Sequence, residues 1–217
     1  MHSRKPIDYY QLHKDLWQFF PNFNSSSQTK SPFFYRIENP HNKGDKKILI
    51  QSVLEPVEQN IDSLKRYYNL SLQKTKFIGT LCDNLKNGQN LQFLVRAYPS
   101  KRLKKERKTT NRGNVRVPLR KDLKAKLTKD QVMLEWLKKI IEKENYVSLK
   151  DCQIIESFPL RFRKKQGNKY HYGTIYTVTF KGYLRVNNSK QFFHNIILSG
   201  IGPGKAFGCG MLSIAKA

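Results

Sequence analysis

Acidic residues are scarce in this sequence of 217 residues. Sixteen Asp and Glu face 41 Lys and Arg, which gives a formal net charge of +25. A surplus of this size destabilises a compact chain by self-repulsion unless a polyanion neutralises it. A protein of the membrane surface usually concentrates its charge on one amphipathic helix or tail. Here the cations are spread through the chain among 13 Phe and 11 Tyr, which favours a nucleic acid as the partner.

Cysteine and long apolar runs are also lacking. Cys82, Cys152 and Cys209 are an odd set without a close pair, which excludes a disulfide framework and a zinc knuckle and indicates reduced thiols. No run approaches the roughly 18 apolar residues of a membrane span, and the N-terminus has no apolar segment typical of a signal peptide. The sequence therefore predicts a cytoplasmic protein that does not enter a membrane.

Potential metal ligands are not grouped. The acids are scattered without a DxD spacing, no HxxxH spacing occurs, and His2, His41, His171 and His194 follow no ligand pattern. A divalent metal site needs clustered carboxylates or His and Cys ligands. We therefore expect neither a metal ion nor another cofactor.

Hydrophobic periodicity predicts an α+β fold. Residues 7–20 are expected to form an amphipathic helix with Leu12, Leu16, Phe19 and Phe20 on one face. A hairpin at 33–38 and 46–53, an ambiguous stretch at 57–87 and a strand at 91–98 follow. A helix is predicted at 128–145, capped by Thr128, with a buried stripe of Val132, Trp136 and Ile140 and with Met133 and Leu137 as further candidates. The remaining elements are strands at 152–162, 171–186 and 211–215 and a helix at 189–198.

The order of these elements approximates β-α-β-β-α-β twice. We predict two tandem ferredoxin-like domains, at 1–100 and 127–217. Residues 101–126 differ in character, because twelve of them are Lys or Arg and two are acidic. They are interpreted as a basic, RNA-binding linker between the domains.

Two basic clusters are candidate RNA-binding sites. The first is KRLKKERK at 101–108, and the second is RFRKKQGNK at 161–169, on the turn between two predicted strands. Lys and Arg contacts to phosphate supply most non-specific affinity. The alternatives are a solvated loop for the first cluster and, for the second, a charged edge hairpin that opposes aggregation. The candidate residues are Lys101, Arg102, Lys104, Lys105, Arg107, Lys108, Arg161, Arg163, Lys164, Lys165 and Lys169.

The loop GIGPGKAFGCG at 200–210 contains five of the twelve glycines. It is neither a Walker loop nor a Rossmann fingerprint, since Ser199 and Ala206 stand where the Walker pattern needs Gly and Ser or Thr, and a strand follows. Glycines of this density let backbone N–H groups approach phosphates closely. Gly202, Gly204 and Lys205 are therefore further RNA-binding candidates, with tight structural turns as the alternative.

The segment GIGPGKAFGCGMLSIA resembles the C-terminal glycine-rich signature of CRISPR repeat-processing endoribonucleases in the RAMP superfamily. The segments YQLHKDLWQFFP (10–21), RAYPSKR (96–102) and NVRVPL (114–119) extend the resemblance to the CasE family of type I-E Cascade subunits, over nearly the whole chain. The resemblance implies tandem ferredoxin-like folds, cleavage at the 3′ side of a repeat stem-loop, and a protein that stays on the mature crRNA with other Cascade subunits. It also implies His13 as the catalytic histidine with Tyr10 beside it, and Arg96 is counted among the RNA-binding residues.

The residues alone are compatible with this assignment. Tyr10 and His13 are three positions apart, so they are neighbours on a helix surface. Histidine can act as base or acid when a ribose 2′-OH attacks the adjacent phosphate, and cations stabilise the developing charge. The expected products carry a 5′-hydroxyl and a 2′,3′-cyclic phosphate or 3′-phosphate. A structural role for His13 stays open, as do a non-catalytic stem-loop-binding subunit and a general basic nucleic-acid-binding protein.

One departure from the resembled family concerns the N-terminus. The family begins with a strand before the YxLH helix, whereas here only MHSRKP precedes Ile7. Pro6 is unsuited to a central strand because it cannot donate to the ladder. We therefore expect the first strand of the N-terminal domain to be missing.

Overall fold

The computed structural model of the protein describes residues 8–20, 31–38, 47–57, 76–103, 115–119 and 127–217. The elements in these ranges are α1 (Tyr9–Leu16), β1 (Phe33–Glu38), β2 (Lys47–Ser52), α2 (Leu81–Asn84), β3 (Asn90–Ala97), β4 (Ser100–Leu103), β5 (Val115–Pro118), α3 (Lys129–Ile141), β6 (Val147–Gln166), β7 (Lys169–Val186), α4 (Ser189–Phe192) and β8 (Leu212–Lys216). A 3₁₀ turn follows α1 at Trp17–Phe19, another lies at Lys205–Phe207, and a π-helical turn at Phe193–Ile197 continues α4. None of the described helices is long and apolar enough to cross a membrane.

The second half of the chain forms a four-stranded sheet in the order β6-β7-β3-β8. Each neighbouring pair is antiparallel. Helix α3 connects β3 to β6, and α4 connects β7 to β8. This is the β-α-β-β-α-β arrangement of a ferredoxin-like unit, with β3 as its first strand.

The position of β3 corrects the predicted domain boundary. Residues 91–98 were expected in a first domain at 1–100, yet β3 pairs with β7 from Ala97↔Val178 to Asn90↔Arg185 and with β8 on its other edge. The second unit therefore begins at β3 rather than at residue 127. Alternation of apolar residues identifies a strand, but it carries no information about which distant strand supplies the hydrogen bonds.

The predicted linker at 101–126 lies within the second unit, between β3 and α3. Its two ends form β4 and β5, which pair antiparallel from Ser100↔Pro118 to Leu103↔Val115. Residues 104–114 and 120–126 lie outside the described residues. The basic segment is thus an excursion from a ferredoxin-like unit and not a connection between two domains.

The first unit contains α1 and the antiparallel pair β1-β2, in register from Phe33↔Ser52 to Glu38↔Lys47. The predicted hairpin at 33–38 and 46–53 is confirmed. The apolar face of α1 is fully covered, since Leu12 and Leu16 are buried in a cluster with residues of β1 and with Leu160 and Ile175 of β6 and β7. The expected absence of a first strand concerns residues before Asp8, which lie outside the described residues.

Helix α3 begins where the sequence predicts. The Thr128 hydroxyl accepts from the backbone N–H of Gln131, and the Gln131 side chain accepts from the N–H of Thr128, which completes a capping box. The buried stripe is one position further along than expected, because its centre is Met133, Leu137 and Ile141. The predicted stripe residues Val132, Trp136 and Ile140 are partly buried at its flank.

Two buried arginines connect the two units reciprocally. Arg36 of β1 donates to Ser213 Oγ at 3.0 Å and to the carbonyl oxygens of Leu94 and Met211 at 3.4 Å each. Arg96 of β3 donates to the carbonyl oxygen of Ile37 at 2.8 Å. Buried charges are tolerated where hydrogen bonds and counter-charges satisfy them, so these arginines hold β1 at a defined position on the sheet.

Candidate active site

Helix α1 presents the two candidate catalytic side chains. The Asp8 carboxylate caps its start by accepting from the backbone N–H groups of Tyr10 at 2.9 Å and Gln11 at 3.1 Å. Leu12 and Leu16 bury the inward face. Because Tyr10 and His13 lie three positions apart, they stand on the flank of this anchored helix, and both are partly buried.

The His13 ring is enclosed by aromatic side chains. Ring centroids of Phe33 and Tyr35 lie 5.3 Å and 6.2 Å from it, with Tyr35 stacked on the imidazole. The Trp17 indole N–H donates to His13 Nε2 at 3.3 Å. Nδ1 is buried and has no hydrogen-bond partner among the described residues. Burial in this apolar setting lowers the pKa of His13 to about 4, because the charged imidazolium loses solvation.

The chemical consequence is a neutral imidazole at pH 7. A neutral histidine can accept a proton and so act as a base, whereas an acid role first requires protonation. The Trp17 hydrogen bond is long compared with the usual 2.9–3.0 Å, so releasing Nε2 for a substrate costs little. Trp17 was not among the predicted site residues, although its position four residues after His13 on a helix is a usable signal.

Tyr10 lies where three parts of the chain meet. Its ring centroid is 5.9 Å from that of Phe207 in the glycine-rich loop. Lys14 Nζ lies 5.5 Å and Lys164 Nζ 6.0 Å from the centroid of the Tyr10 ring. Phe207 also packs on Phe162 of β6, with centroids 4.5 Å apart. The structure therefore brings together α1, the β6–β7 hairpin and the glycine-rich loop at Tyr10.

The glycine-rich loop needs its glycines for packing. Gly202 and Gly204 have φ of 68° and 87°, a region that side-chain-bearing residues rarely adopt. A Cβ on Gly202 would lie 2.9 Å from the Trp136 ring, and one on Gly204 would lie 3.2 Å from Tyr98 Cβ. The structural alternative thus accounts for both positions, and their predicted contact with phosphate stays a prediction. Lys205 Nζ lies 5.7 Å from the Phe34 ring centroid.

Tyr35 joins the loop to the start of α1, a role that sequence analysis did not identify. Its buried hydroxyl lies 2.7 Å from the carbonyl oxygen of Tyr9 and 3.1 Å from that of Ala206. A hydroxyl has one proton to donate, so the two carbonyls share it. The same ring stacks on His13, so one side chain positions both α1 and the loop.

The predicted RNA-binding cations are distributed over several elements. Lys101 is exposed on β4, and Arg161, Arg163, Lys164 and Lys169 are exposed on the β6–β7 hairpin. Arg102 and Lys165 lie in β4 and β6. Lys104, Lys105, Arg107 and Lys108 lie outside the described residues. Of the exposed cations of the hairpin, Lys164 is the one that lies beside Tyr10.

Arg96 is placed differently from the expectation of an RNA contact. It is 3% exposed, and its guanidinium bonds to Ile37 and lies 3.3 Å from Glu156 and 5.2 Å from the centroid of the Phe158 ring. It is therefore enclosed between the units and does not present its charge to a ligand in this structure. The sequence gives no sign that the first unit covers this face of β3.

Among the described residues, no three His, Cys, Asp or Glu side chains are grouped so that they could hold a metal ion. The expected absence of a metal from the reaction stays a prediction, to be tested by chelation. Cys82, Cys152 and Cys209 are unpaired thiols.

Comparison with known proteins places the chain in a family. A family model described as CRISPR associated protein matches residues 2–216. The chain belongs to this family of CRISPR-associated proteins. The Cascade subunit CasE of Escherichia coli K12 is 28% identical over 209 residues, which are 96% of this chain and 92% of that protein. The family predicted from the sequence is thereby confirmed.

Two solved structures of CRISPR-associated proteins share the fold. Cas6e from E. coli K-12 is 27% identical, with a TM-score of 0.62 over 97% of this chain and 93% of that one. Thermus thermophilus Cse3, bound to an RNA representing a pre-cleavage complex, is 24% identical, with a TM-score of 0.67 over 96% and 89% of the two chains. These likenesses confirm the predicted tandem ferredoxin-like fold.

Proposed function

We propose that this CRISPR-associated protein is a metal-independent endoribonuclease that cuts the stem-loop of CRISPR repeat RNA. The observation that carries the proposal is that Lys164 of the hairpin and Phe207 of the glycine-rich loop lie beside Tyr10, which is a neighbour of His13 on the surface of α1. A hydroxyl and a cation stand together there, and the proton acceptor His13 is three positions from the hydroxyl along the same helix. The similarity to a Cascade subunit over 96% of this chain adds support.

The chemistry follows from these groups. Neutral His13 takes the proton of a ribose 2′-OH, and the resulting oxygen attacks the adjacent phosphate. Tyr10 orients the hydroxyl, and Lys164 stabilises the additional charge on the phosphorane. The bond to the 5′-oxygen breaks and this oxygen takes up a proton from water, which gives a 2′,3′-cyclic phosphate and a 5′-hydroxyl. General base catalysis of this kind contributes about 10²–10⁴-fold in rate.

The exposed cations hold the RNA before and after the cut. Arg161, Arg163 and Lys169 are exposed on the hairpin, and Lys101 is exposed on β4. Phosphate contacts from such residues position a substrate without reading its sequence. After cleavage the protein stays on the crRNA as one subunit of a Cascade complex, in the cytoplasm. The names of the E. coli relative, a Cascade subunit, and of the RNA-bound Cse3 support this assignment.

A cleavage assay tests the proposal. A CRISPR repeat RNA that the protein binds is incubated with wild-type protein, His13→Ala and His194→Ala, each in EDTA. The wild type and His194→Ala, which alters an exposed histidine in the turn after α4, are expected to cut. His13→Ala is expected to bind the RNA with nearly unchanged affinity and to cut at least ~10²-fold more slowly. Strict dependence on Mg²⁺ or Mn²⁺ would overturn the mechanism.

A non-catalytic stem-loop-binding subunit is the second candidate. The surroundings of His13 favour this second candidate. Its Nδ1 is buried, and its Nε2 accepts a hydrogen bond from the Trp17 indole N–H, so neither nitrogen is open to a substrate in this structure. Wild-type protein that binds the repeat tightly but never cuts it, in EDTA or with added metal, would establish this reading instead.

A further inference from the structure

The β6–β7 hairpin extends beyond the sheet as a ribbon with two different faces. Strand β3 pairs with β7 only from Val178 onward, so the residues before it pair with β6 alone. Side chains alternate between the faces of a strand. One face, with Leu160, Phe162 and Ile175, packs on α1 and the glycine-rich loop. Lys164 points the same way, toward Tyr10.

The opposite face, here called the outer face, carries tyrosines and arginines. It consists of Arg161, Arg163, Tyr170, Tyr172 and Tyr176. Arg163 lies directly opposite Tyr172 in the register, and Arg161 lies opposite Thr174. Tyr172 is 76% exposed, Tyr170 49% and Tyr176 46%. These are high values for large rings, which usually bury most of their surface.

Cations already lie against these rings. The Arg163 guanidinium carbon is 4.9 Å from the Tyr170 ring centroid, and Lys129 Nζ, at the start of α3, is 6.0 Å from that of Tyr176. Residues 157–176 contain five Lys and Arg and no Asp or Glu. Tyr170 and Tyr172, two positions apart, are spaced by about 7 Å along the strand. The outer face is thus a row of ring surfaces with cations beside them.

This combination fits unpaired nucleotides better than a duplex or a protein. Aromatic rings bind bases by stacking, which requires that the base faces be free, while neighbouring cations bind the phosphates. In a duplex the base faces are already stacked on one another. Tyr and Arg are also enriched at protein interfaces, but a ribbon that has five Lys and Arg and no Asp or Glu over residues 157–176 is complementary to a polyanion.

We propose that the outer face of the ribbon is a stacking platform for the unpaired nucleotides that adjoin the stem of the RNA. The proposal rests on the RNA-processing function above and assigns a different role to each face of the hairpin. The inner face presents Lys164 to the cleavage site. The outer face, through Tyr170 and Tyr172, holds the single strand that leaves the stem.

The test measures binding of labelled RNAs to the full chain by fluorescence anisotropy. The probes are the bare repeat hairpin, the same hairpin with an oligoadenylate tail of about eight nucleotides at either end, and the tail alone. The variants are Tyr170→Ala/Tyr172→Ala and Tyr172→Phe. Tyr183→Ala is the matched control, since this tyrosine is 44% exposed but stands on the other face of β7.

A tail at one end is expected to tighten wild-type binding by about 5-fold or more, the lower end of the effect of one stacked base. The double alanine variant should lose this gain and keep its affinity for the bare hairpin. Tyr172→Phe, which keeps the ring, should retain the gain, and Tyr183→Ala should match the wild type.

Three results would overturn the platform: no gain from a tail at either end, an equal loss on bare and tailed hairpins, or unchanged RNA binding with loss of binding to other Cascade subunits. The probes also separate the two proposals. A protein that binds and cuts the bare hairpin without gaining from a tail refutes the platform alone. A protein that ignores the hairpin yet binds oligoadenylate through Tyr170 and Tyr172 keeps the platform and refutes the processing function.

Discussion

The enclosed position of His13 predicts a specific dependence of stability on pH. Burial lowers the pKa of its imidazole from 6.5 to about 4. Above pH 6.5 the ring is neutral in the folded and the unfolded chain, and it contributes no pH dependence. Between pH 6.5 and about 4 the unfolded chain binds the proton more readily, so the free energy of unfolding falls as the pH falls. Below about pH 4 both states are protonated, and the contribution levels off.

The magnitude can be bounded from the structure. At about 1.4 kcal/mol per pKa unit, the shift corresponds to at most about 3 kcal/mol. The ring is only partly buried, and solvent screening reduces the effect. We therefore expect that about 1–2 kcal/mol of stability is lost between pH 7 and pH 4 through His13 alone. This is a substantial part of a total of roughly 5–15 kcal/mol.

Urea denaturation of the wild type and of His13→Asn at pH 7 and pH 4 isolates this contribution. The carboxylates titrate in both proteins, so the difference between the two pH dependences belongs to His13. The wild type should lose more stability than the variant, and an NMR titration of the His13 Cε1 proton should give a midpoint well below 6.5. His171→Asn makes the same chemical change on the exposed hairpin and is the control. Parallel losses in wild type and His13→Asn, or a midpoint near 6.5, would refute the enclosure of the ring.

Three further predictions concern other parts of the molecule. Replacing Arg96 with Met should lower the free energy of unfolding by about 1–3 kcal/mol in urea melts, because the carbonyl oxygen of Ile37 loses its hydrogen bond from the buried Arg96 side chain; an unchanged stability would show that the arginine is not needed between the units. The double variant Arg161→Gln/Arg163→Gln should reduce the slope of log K against log salt by about 0.7–0.9 per lost phosphate contact, and an unchanged slope would place the RNA elsewhere. Gly204→Ala should lower the melting temperature, because alanine is strained at φ 87°; an equal or higher melting temperature would contradict the loop geometry.

Local sequence patterns were sufficient to predict most of the helices and strands. Apolar periodicity and caps identified α1, the β1–β2 hairpin and α3, because these signals depend on neighbours a few residues away. The pairing of β3 depends on strands more than 80 residues later in the chain, and no local pattern encodes it. The stripe of α3 was misplaced by one position for a related reason. Trp136 and Met133 are both apolar, and which of them is buried depends on which side of the helix the sheet packs against.

In the candidate site, too, some features follow from local spacing and others depend on the tertiary fold. The pairing of Tyr10 with His13 follows from helical spacing, and Trp17 was accessible by the same rule. The approach of Lys164 and Phe207 to Tyr10 joins residues about 150 to 200 positions apart, which only the tertiary fold determines. For Arg96 the prediction from sequence was wrong. A cation in a basic chain was expected to contact RNA, but in the structure the first unit covers it.

The proposed active site lies between the two units, and this would couple catalysis to their packing. His13 and Tyr10 come from the first unit, whereas Lys164 and the glycine-rich loop come from the second. The Tyr35 hydroxyl links the start of α1 to the loop at Ala206, and the buried arginines fix β1, which carries Tyr35, on the sheet. A misplacement of about 1 Å can cost ~10²-fold in rate. Substitutions at this interface should therefore impair cleavage before they unfold the protein, while RNA bound along the hairpin, which belongs wholly to the second unit, is held as before.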